Sequence, residues 1–186
     1  MSWTAPRTWA AGELVTAALM NTHVRDNELE TAPAKATTEG GIFAATGANA
    51  IAERVWVTDF VAATETTVSA TYTDLTTPGP AVTVTTGTKA IVFIGGELYS
   101  TTGSTLATMS FAVSGATTVA ASGSWAFGAR MPAAGEIRVL GSRVTSFGMG
   151  GTNGALTAGS NTFTAKYANS GGTTWAATRA IGVLAL

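Results

Sequence analysis

The chain has 186 residues, a formal net charge of −1, no cysteine and a single histidine. Hydrophobic residues make up 46% of it, which excludes a disordered chain, because disorder requires low hydrophobicity together with high charge. Charged residues make up only 11% and form no basic run, so nucleic acid is not expected as a partner, since phosphate binding needs clustered lysine and arginine.

Residues 1–12 are predicted to form an extended arm. Pro6 biases the residue before it toward extended backbone, and Trp3 and Trp9 flank the Pro6-Arg7 pair. Each tryptophan can bury on the order of 200 Å², so neither is expected to remain in water. Two alternatives are open: the tryptophans fold back onto their own chain, or they insert into another protein. We favour the second.

A short amphipathic helix is predicted after the arm. Thr16 has the properties of an N-cap, and the four residues that follow it are strong helix formers. The helix is expected to run to about Leu29, and Pro33 is expected to end it. Met20 and Val24 share one stripe at helical spacing. A helix of a few turns is marginal in water, so it must pack on something.

Residues 31–54 are predicted to be a connector with turns and one short strand or extended segment at Ile42–Ala45. From Val55 onward the hydrophobic period is two, and glycine- and proline-rich turns separate the runs. The Ser170-Gly171-Gly172 turn joins two strong runs and is typical of a tight hairpin. The predicted strand runs are 67–72, 81–86, 90–98, 108–113, 117–121, 137–145, 161–169 and 173–186.

These patterns predict a mainly β protein with two domains. Residues 1–54 form the arm, the short α-helix and the connector, and residues 55–186 form an antiparallel, jelly-roll-like β-sandwich. Residues 1–60 hold 11 of the 21 charged side chains, so the sandwich is very poor in charge. Its surface is either solvated by hydroxyl groups or buried against identical subunits. We favour the second alternative, because charges are depleted at the cores of interfaces.

The residue inventory disfavours catalysis. His23 is the only histidine, so a nucleophilic triad or a histidine metal site has almost no material. The carboxylates beyond residue 60, Glu65, Asp74, Glu97 and Glu136, are sparse and scattered. The glycine-rich stretch 148–154 departs from both dinucleotide and P-loop patterns. No catalytic, cofactor-binding or metal-ligating residue is therefore predicted, and no cofactor is expected.

The start of the chain lacks the charged region and apolar core of a secretory signal peptide. The longest apolar stretches, such as Ala90–Ile94, are far shorter than the ~18 residues that span a bilayer. We expect a protein that folds in reducing cytoplasm, inserts into no membrane, and leaves the cell by another route.

A candidate ligand loop lies in the C-terminal domain. Trp125 and Phe127 stand between two glycines in a loop-like stretch, and Asn153 lies in a second, glycine-rich loop. Aromatic side chains on loops can stack on sugars or anchor a partner. The alternative is simple packing at one end of the sandwich.

The N-terminal segment resembles a known family. The stretches Trp3-Thr4-Ala5-Pro6-Arg7-Thr8-Trp9, Gly12 to Ala18, and Asn21-Thr22-His23-Val24-Arg25-Asp26-Asn27 are similar to the opening segment of many bacteriophage and prophage particle proteins, known as tail-fibre, minor tail or head-decoration proteins. The resemblance covers roughly the first 30 residues. The C-terminal part is similar only in texture to the trimeric sandwich heads of phage fibres and decoration proteins.

This resemblance implies a virion-docking segment followed by an exposed oligomeric head, here expected to be a homotrimer. It implies a place on the virion surface and capsid or tail proteins as partners, but does not distinguish head from tail. A capsid decoration or head-fibre role is favoured, and a tail-fibre protein that binds host surface glycans is the alternative. The predicted docking residues are Trp3, Pro6, Arg7, Trp9, Leu19, Met20, His23, Val24 and Arg25.

Overall fold

A computed structural model describes residues 4–130, 132, 138–150 and 153–186 of the chain. The chain forms two units, Met1–Val55 and Trp56–Leu186. The first contains short helical segments and a small hairpin, and the second contains two antiparallel sheets. The predicted mainly β fold, a sandwich preceded by one short helix, is confirmed.

The helix of the N-terminal unit begins where the sequence predicts. The Thr16 hydroxyl accepts a hydrogen bond from the backbone N–H of Leu19 at 3.3 Å, which is the expected N-cap contact. The helix has three consecutive segments: an α-helical turn, α1 (Ala17–Met20), a π-helical stretch (Asn21–Arg25) and a second α-helical turn, α2 (Asp26–Glu28). Wider π-helical turns of this kind are rare and are found often at functional sites.

The prediction that Pro33 ends this helix is wrong. The helix stops before it, and Pro33 lies in the first turn of a separate helix, α3 (Ala32–Lys35). Proline is tolerated there because the first N–H groups of a helix have no partner within it. The connector also holds more strand than expected: β1 (Ile42–Gly47) and β2 (Ala50–Arg54) form an antiparallel hairpin.

The C-terminal unit consists of two antiparallel sheets. The strands of the first sheet are β3 (Trp56–Val61), β4 (Glu65–Thr67), β6 (Ala90–Ser100), β9 (Val139–Phe147) and β11 (Thr174–Ala185). Those of the second are β5 (Ala81–Thr86), β7 (Leu106–Gly115), β8 (Phe127–Arg130) and β10 (Gly159–Asn169). The first sheet has the strand order β3-β11-β6-β9, with β4 also paired to β11, and the second has the order β5-β10-β7-β8.

The order of the eight main strands is that of a jelly roll. The first pairs with the last (β3 with β11), the second with the seventh (β5 with β10), the third with the sixth (β6 with β9) and the fourth with the fifth (β7 with β8). Such nested pairing corresponds to one long antiparallel ribbon rolled into two sheets, which is how a jelly roll leaves few exposed edges.

The core lies between the two sheets. Phe111 and Phe163 are fully buried, and each ring lies within 6.4 Å, centre to centre, of the Phe147 ring. Aliphatic side chains from both sheets complete this layer, because inward positions alternate along each strand. Among the aliphatic and sulfur-containing members are Val92, Ile94, Leu98, Met109, Ile181 and Val183.

One strand places a charged side chain in this interior. The pairing of β11 with β6 shifts between Ala177 and Ala180, and Thr178 there has a φ of 45°. This irregularity turns Arg179 inward, where its side chain has 0% exposure. Its guanidinium lies 3.3 Å from a Glu65 carboxylate oxygen and 5.4 Å from the centre of the Tyr167 ring. The bulge therefore creates a buried ion pair at one end of the sandwich.

Two predicted strands are largely absent, and one observed strand was predicted to be a loop. Only the first residue of the predicted run 67–72 lies in a strand. The run 117–121 makes a single bridge, from Val119 to Val113. By contrast, β8 occupies a stretch whose glycines predicted a loop: Phe127–Arg130 pairs with β7. Short edge strands owe their order to a neighbouring strand, so their own residues carry little signal.

The turn at Ser170-Gly171-Gly172 is not a hairpin. The strand before it, β10, pairs with β5 and β7, whereas the strand after it, β11, belongs to the opposite sheet. The turn therefore carries the chain across the sandwich. Two strong runs joined by glycines are compatible with either arrangement, and only long-range pairing distinguishes them.

Candidate functional site

The N-terminal unit has no core. None of its described residues, from Thr4 to Val55, is buried. Large apolar side chains are nevertheless common in it, and Leu14 is 80% exposed. We call this set the N-terminal apolar surface: Trp9, Leu14, Val15, Met20, Val24, Leu29, Ile42 and Phe43 are all exposed. A unit of this kind has little hydrophobic stabilisation of its own to set against the entropy of ordering its chain.

The arm is held against the helix by polar contacts. Thr4 and Asn27 form a reciprocal pair: the Thr4 backbone N–H donates to Asn27 Oδ1, and Asn27 Nδ2 donates to the Thr4 carbonyl, both at 3.0 Å. Asn27 Nδ2 also donates to the carbonyl of His23. These contacts tie the beginning of the arm to the second half of the helix.

A second set of contacts surrounds Trp9. The Arg7 guanidinium lies 4.7 Å from the centre of the Trp9 ring and forms an ion pair with Glu13. The His23 ring meets Trp9 edge to face, with the ring centres 6.4 Å apart. The Glu13 carboxylate also accepts from the backbone N–H of Ala10. Trp9 is thus oriented by its neighbours while it remains 40% exposed.

The rest of the unit is fastened by two glutamates. Glu53 of β2 accepts from the hydroxyl and backbone N–H of Thr37 and from the N–H of Thr38, and these bonds lower its pKa. Glu30 pairs with Lys35, and this partner lowers the pKa of Glu30. Lys35 in turn donates to the carbonyl of Ile51. Helix α3 is thereby linked to the hairpin by charge-assisted bonds rather than by a core.

The predicted docking residues lie in two groups. Arg7, Leu19 and His23 are half-buried, whereas the other described members of the set are exposed. Trp3 lies outside the described residues. Sequence reasoning missed several members of the N-terminal apolar surface: Leu14, Val15, Leu29, Ile42 and Phe43. For Leu14 and Val15, the available signal was their apolar character in a segment without strand or helix periodicity.

The candidate ligand loop is engaged in packing. Trp125 is half-buried, its indole N–H donates to the Phe111 carbonyl at 3.0 Å, and its ring lies against Phe111 and Phe147. Phe127 also packs against the core cluster. Asn153 donates to the Ser146 carbonyl at 3.1 Å. No open aromatic platform is formed by the two rings.

Three carboxylates of the described part of the sandwich form hydrogen bonds and ion pairs within the chain. Glu65 accepts from the Thr77 hydroxyl and backbone N–H and faces Arg179, and these contacts lower its pKa, the Thr77 hydroxyl most of all. Asp74 pairs with Lys166 at 2.7 Å, and Glu97 pairs with Arg138 at 3.3 Å. Burial raises the pKa of the Tyr167 hydroxyl, which donates to the Gly79 carbonyl.

Within the described part of the chain, no three His, Asp or Glu side chains gather closely enough to hold a metal ion. The same residues include no helix with the length and apolarity that crossing a bilayer requires.

The C-terminal unit therefore belongs to the jelly-roll class, an architecture shared by viral capsid proteins, lectins and cupins, so that the fold alone assigns no function. The sequence matches no known protein-family model and no curated protein. Among solved structures, its fold is similar to a chain of infectious bursal disease virus, Gt strain, with a TM-score of 0.42 and 15% identity over 73% of this chain and 35% of the viral chain. A likeness at that TM-score carries no argument about function.

Proposed function

We propose that this chain is a non-enzymatic structural protein of a bacteriophage particle, and that it docks on the particle through its N-terminal unit. In this proposal the jelly roll forms an oligomeric head on the virion surface, assembled in the host cytoplasm. The observation that carries it is the absence of any buried residue in the described part of the N-terminal unit, together with its N-terminal apolar surface.

The physical argument rests on what such a unit needs. Ordering a residue costs about 1–2 kcal/mol of backbone entropy, and half-buried polar contacts return little of it. Burial of the exposed apolar side chains on another protein would supply the missing stabilisation, at roughly 25 cal/mol per Å². Trp9, already oriented by Arg7 and His23, has the character of a hot-spot anchor.

A capsid decoration or head-fibre protein is the form of the proposal that we favour. The resemblance of the first 30 residues to phage particle proteins supports a virion location. The alternative, a tail-fibre protein that binds host glycans through Trp125, Phe127 and Asn153, is not favoured by the placement of these side chains, because both rings pack against the core.

The proposal of an oligomeric head is supported by the scarcity of charged side chains in the sandwich. Residues 61–186 carry 10 of the 21 charged side chains, which is sparse for a surface that faces water on all sides. A homotrimer is the expected assembly, on the resemblance to trimeric phage heads. Repetition on a symmetric particle would add avidity to a weak single docking contact.

The docking proposal is tested on particles produced without this protein. Purified chain is added, the particles are sedimented, and the bound chain is measured by quantitative gel. The Leu14→Asp and Leu29→Asp double variant is expected to bind at least about tenfold more weakly, because two charges enter an apolar contact. The control is Val68→Asp in the other unit, since Val68 is similarly exposed, at 74%. Equal binding by the double variant and wild type would contradict the proposal.

Copy number per particle separates head from tail. Quantitative mass spectrometry of intact particles is expected to give hundreds of copies for a capsid decoration or head-fibre protein. A handful of copies would favour the tail-fibre alternative, and a glycan array would then test receptor binding.

A further inference from the structure

The two outer faces of the sandwich differ in chemistry. On the sheet of β5, β10, β7 and β8, the outward positions are mainly hydroxyl residues, including Thr83, Thr85, Thr162 and Thr164. On the sheet of β3, β11, β6 and β9, the outward positions are mainly apolar. We call the latter the apolar face; its large side chains are Trp56, Phe60, Phe93, Leu140, Val144 and Leu184.

The strands of the apolar face do not alternate as strands with one wet side do. Ala90–Ile94 is a continuous apolar run in β6, with Ala90, Val92 and Ile94 in the core and Ile91 and Phe93 facing outward. Continuous apolar runs are typical of sheets that are covered on both faces. Yet Leu140 is 81% exposed, Val144 62% and Phe60 57%.

The surface of the apolar face is smooth. The Trp56 ring lies across Gly182 of the neighbouring strand, where a Cβ atom would come within 2.6 Å of it. The Phe93 ring lies over Gly95 in the same way, at 3.2 Å. Trp56, Phe60 and Phe93, with Ala180 and Gly182 between them, line a shallow groove. Both rings thus occupy the space that a side chain at the glycine would fill.

Charge is scarce on this face. Asp59 lines the groove, but its carboxylate accepts hydrogen bonds from the backbone N–H groups of Phe60 and Ala81. No outward position of β3, of 91–95, of 140–146 or of 180–184 carries a charged side chain. Arg143 points the other way and donates to the carbonyls of Ser124 and Ala126. The ion pair of Glu97 and Arg138 marks one end of the face. A partner must therefore be largely apolar over the contact area, and the same face of a second copy meets that requirement.

The size of the face matches a second copy. Four strands about 4.8 Å apart and about seven residues long, at ~3.3 Å per residue, cover on the order of 450 Å² in projection. That is within the range at which an exposed patch on a monomer is often functional. Two such faces together bury about 900 Å², just below the ~1,000 Å² that marks a stable specific interface, so the contact between two copies is expected to be weak and concentration-dependent.

We propose that the apolar face is the surface through which copies of this chain associate, and that its occupant is the sheet of a second copy. Two sheets would pack face to face at about 10 Å, as the two sheets within the sandwich do. This inference rests on the oligomeric head in the proposed function and names one surface that forms it. Because a face that packs on the same face of a second copy closes a two-fold pair, it predicts dimers through this surface, which light scattering distinguishes from the expected homotrimer.

The first test measures the oligomeric state of the full chain by light scattering over a range of concentrations. Leu140→Lys is expected to weaken association at least about tenfold, because the charge would be buried without a partner. Phe60→Lys, on another strand of the same face, provides a second variant, and circular dichroism checks the fold of both. Thr85→Lys on the hydroxyl-rich face is the control and should associate as wild type does.

The outcomes separate the two proposals. An oligomeric wild type with a dissociated Leu140→Lys supports the apolar face. An oligomeric wild type with unaffected Leu140→Lys and Phe60→Lys overturns this face but leaves the oligomeric head. A monomeric wild type overturns both, while docking to particles is judged by its own experiment.

The second test uses the absence of cysteine from the chain. A single thiol at Val144→Cys should react with an alkylating reagent at least about tenfold more slowly as the chain associates, and Thr85→Cys should react equally at all concentrations. Equal reactivity of both thiols in the oligomer overturns the proposal. So does protection of the Val144→Cys thiol in the dilute monomer, because a segment of the same chain would then cover the face.

Discussion

The two units of this chain are stabilised in different ways. The sandwich buries aromatic and aliphatic side chains from both sheets in one continuous core, whereas no described residue of the N-terminal unit is buried. The N-terminal unit is held by polar contacts such as the Thr4–Asn27 pair and the bonds of Glu53. This difference is the basis of the proposal that the first unit docks on another surface, and it predicts that the stability of the sandwich does not depend on the first unit.

The largest effect expected from this contrast is that of Phe111→Ala. The Phe111 ring contacts Phe147, Phe163 and Trp125, so its loss leaves a cavity and should lower the free energy of unfolding by about 3–5 kcal/mol. Phe43→Ala in the N-terminal unit should change it by less than about 0.5 kcal/mol. Urea unfolding of both variants measures the difference. Similar losses for the two would refute the contrast.

Next in size is the loss of the buried arginine. Arg179→Met removes the partner of Glu65 inside the sandwich and should lower the free energy of unfolding by about 2–3 kcal/mol. Removing one partner of a fully buried pair costs up to about 5 kcal/mol, but Glu65 keeps its bonds to Thr77. The double variant with Glu65→Gln should recover part of the loss. A double variant as unstable as the sum of the single ones would show that the pair is not coupled.

A smaller effect is expected on the pH dependence of unfolding. The pKa of Glu65 is lowered in the folded chain, first by the Thr77 hydroxyl and also by Arg179. Its contribution to stability is therefore complete above the unfolded pKa, near 4.5, and is lost as the pH falls through the lower folded value. Glu65→Gln should flatten the loss of stability in acid.

Glu53 provides the control for this measurement. Its pKa is also lowered, by Thr37, but it lies in the N-terminal unit. Glu53→Gln should leave the acid unfolding of the sandwich unchanged. A Glu53→Gln variant that flattened the curve as Glu65→Gln does would contradict the separation of the two units.

The smallest effect is local. Thr16→Ala removes the N-cap bond to Leu19 and should cost the helix about 1 kcal/mol, seen as faster amide hydrogen exchange in residues 17–28. The unfolding midpoint of the sandwich should not change, because no core depends on this helix. Thr16→Ser should restore the protection. A lowered midpoint in Thr16→Ala would mean that the helix supports the sandwich.

The sequence predicted an element well where the contacts that form it lie between residues close together in the chain. Thr16 was identified as the cap because its hydroxyl acts three residues away, and β5 was predicted with the bounds observed, Ala81–Thr86. The edge strand β8 was missed because Phe127–Arg130 is extended only through its pairing with β7. Pro33 was misassigned because a proline can either stop one helix or begin another.

For the candidate sites, the sequence identified residue types better than their surroundings. The arm and helix were predicted to be a docking segment, but the exposure of Leu14, Leu29 and Phe43 was not anticipated, because exposure depends on how the segments pack and not on residue type. Trp125 was considered a loop aromatic, and the structure places its ring against Phe111 and Phe147. The apolar face was also missed, since it is formed by strands far apart in the chain.

The sequence by itself determined the fold class, the helix start, most strand positions and the scarcity of charge, because each depends on nearby residues or on composition. Only the tertiary structure decided which sheet each strand joins, as at Ser170–Gly172, where the chain crosses between sheets instead of turning back. It also decided that a bulge turns Arg179 inward and that four strands align their apolar residues on one outer face. These features depend on pairing between distant segments, which local propensity does not encode.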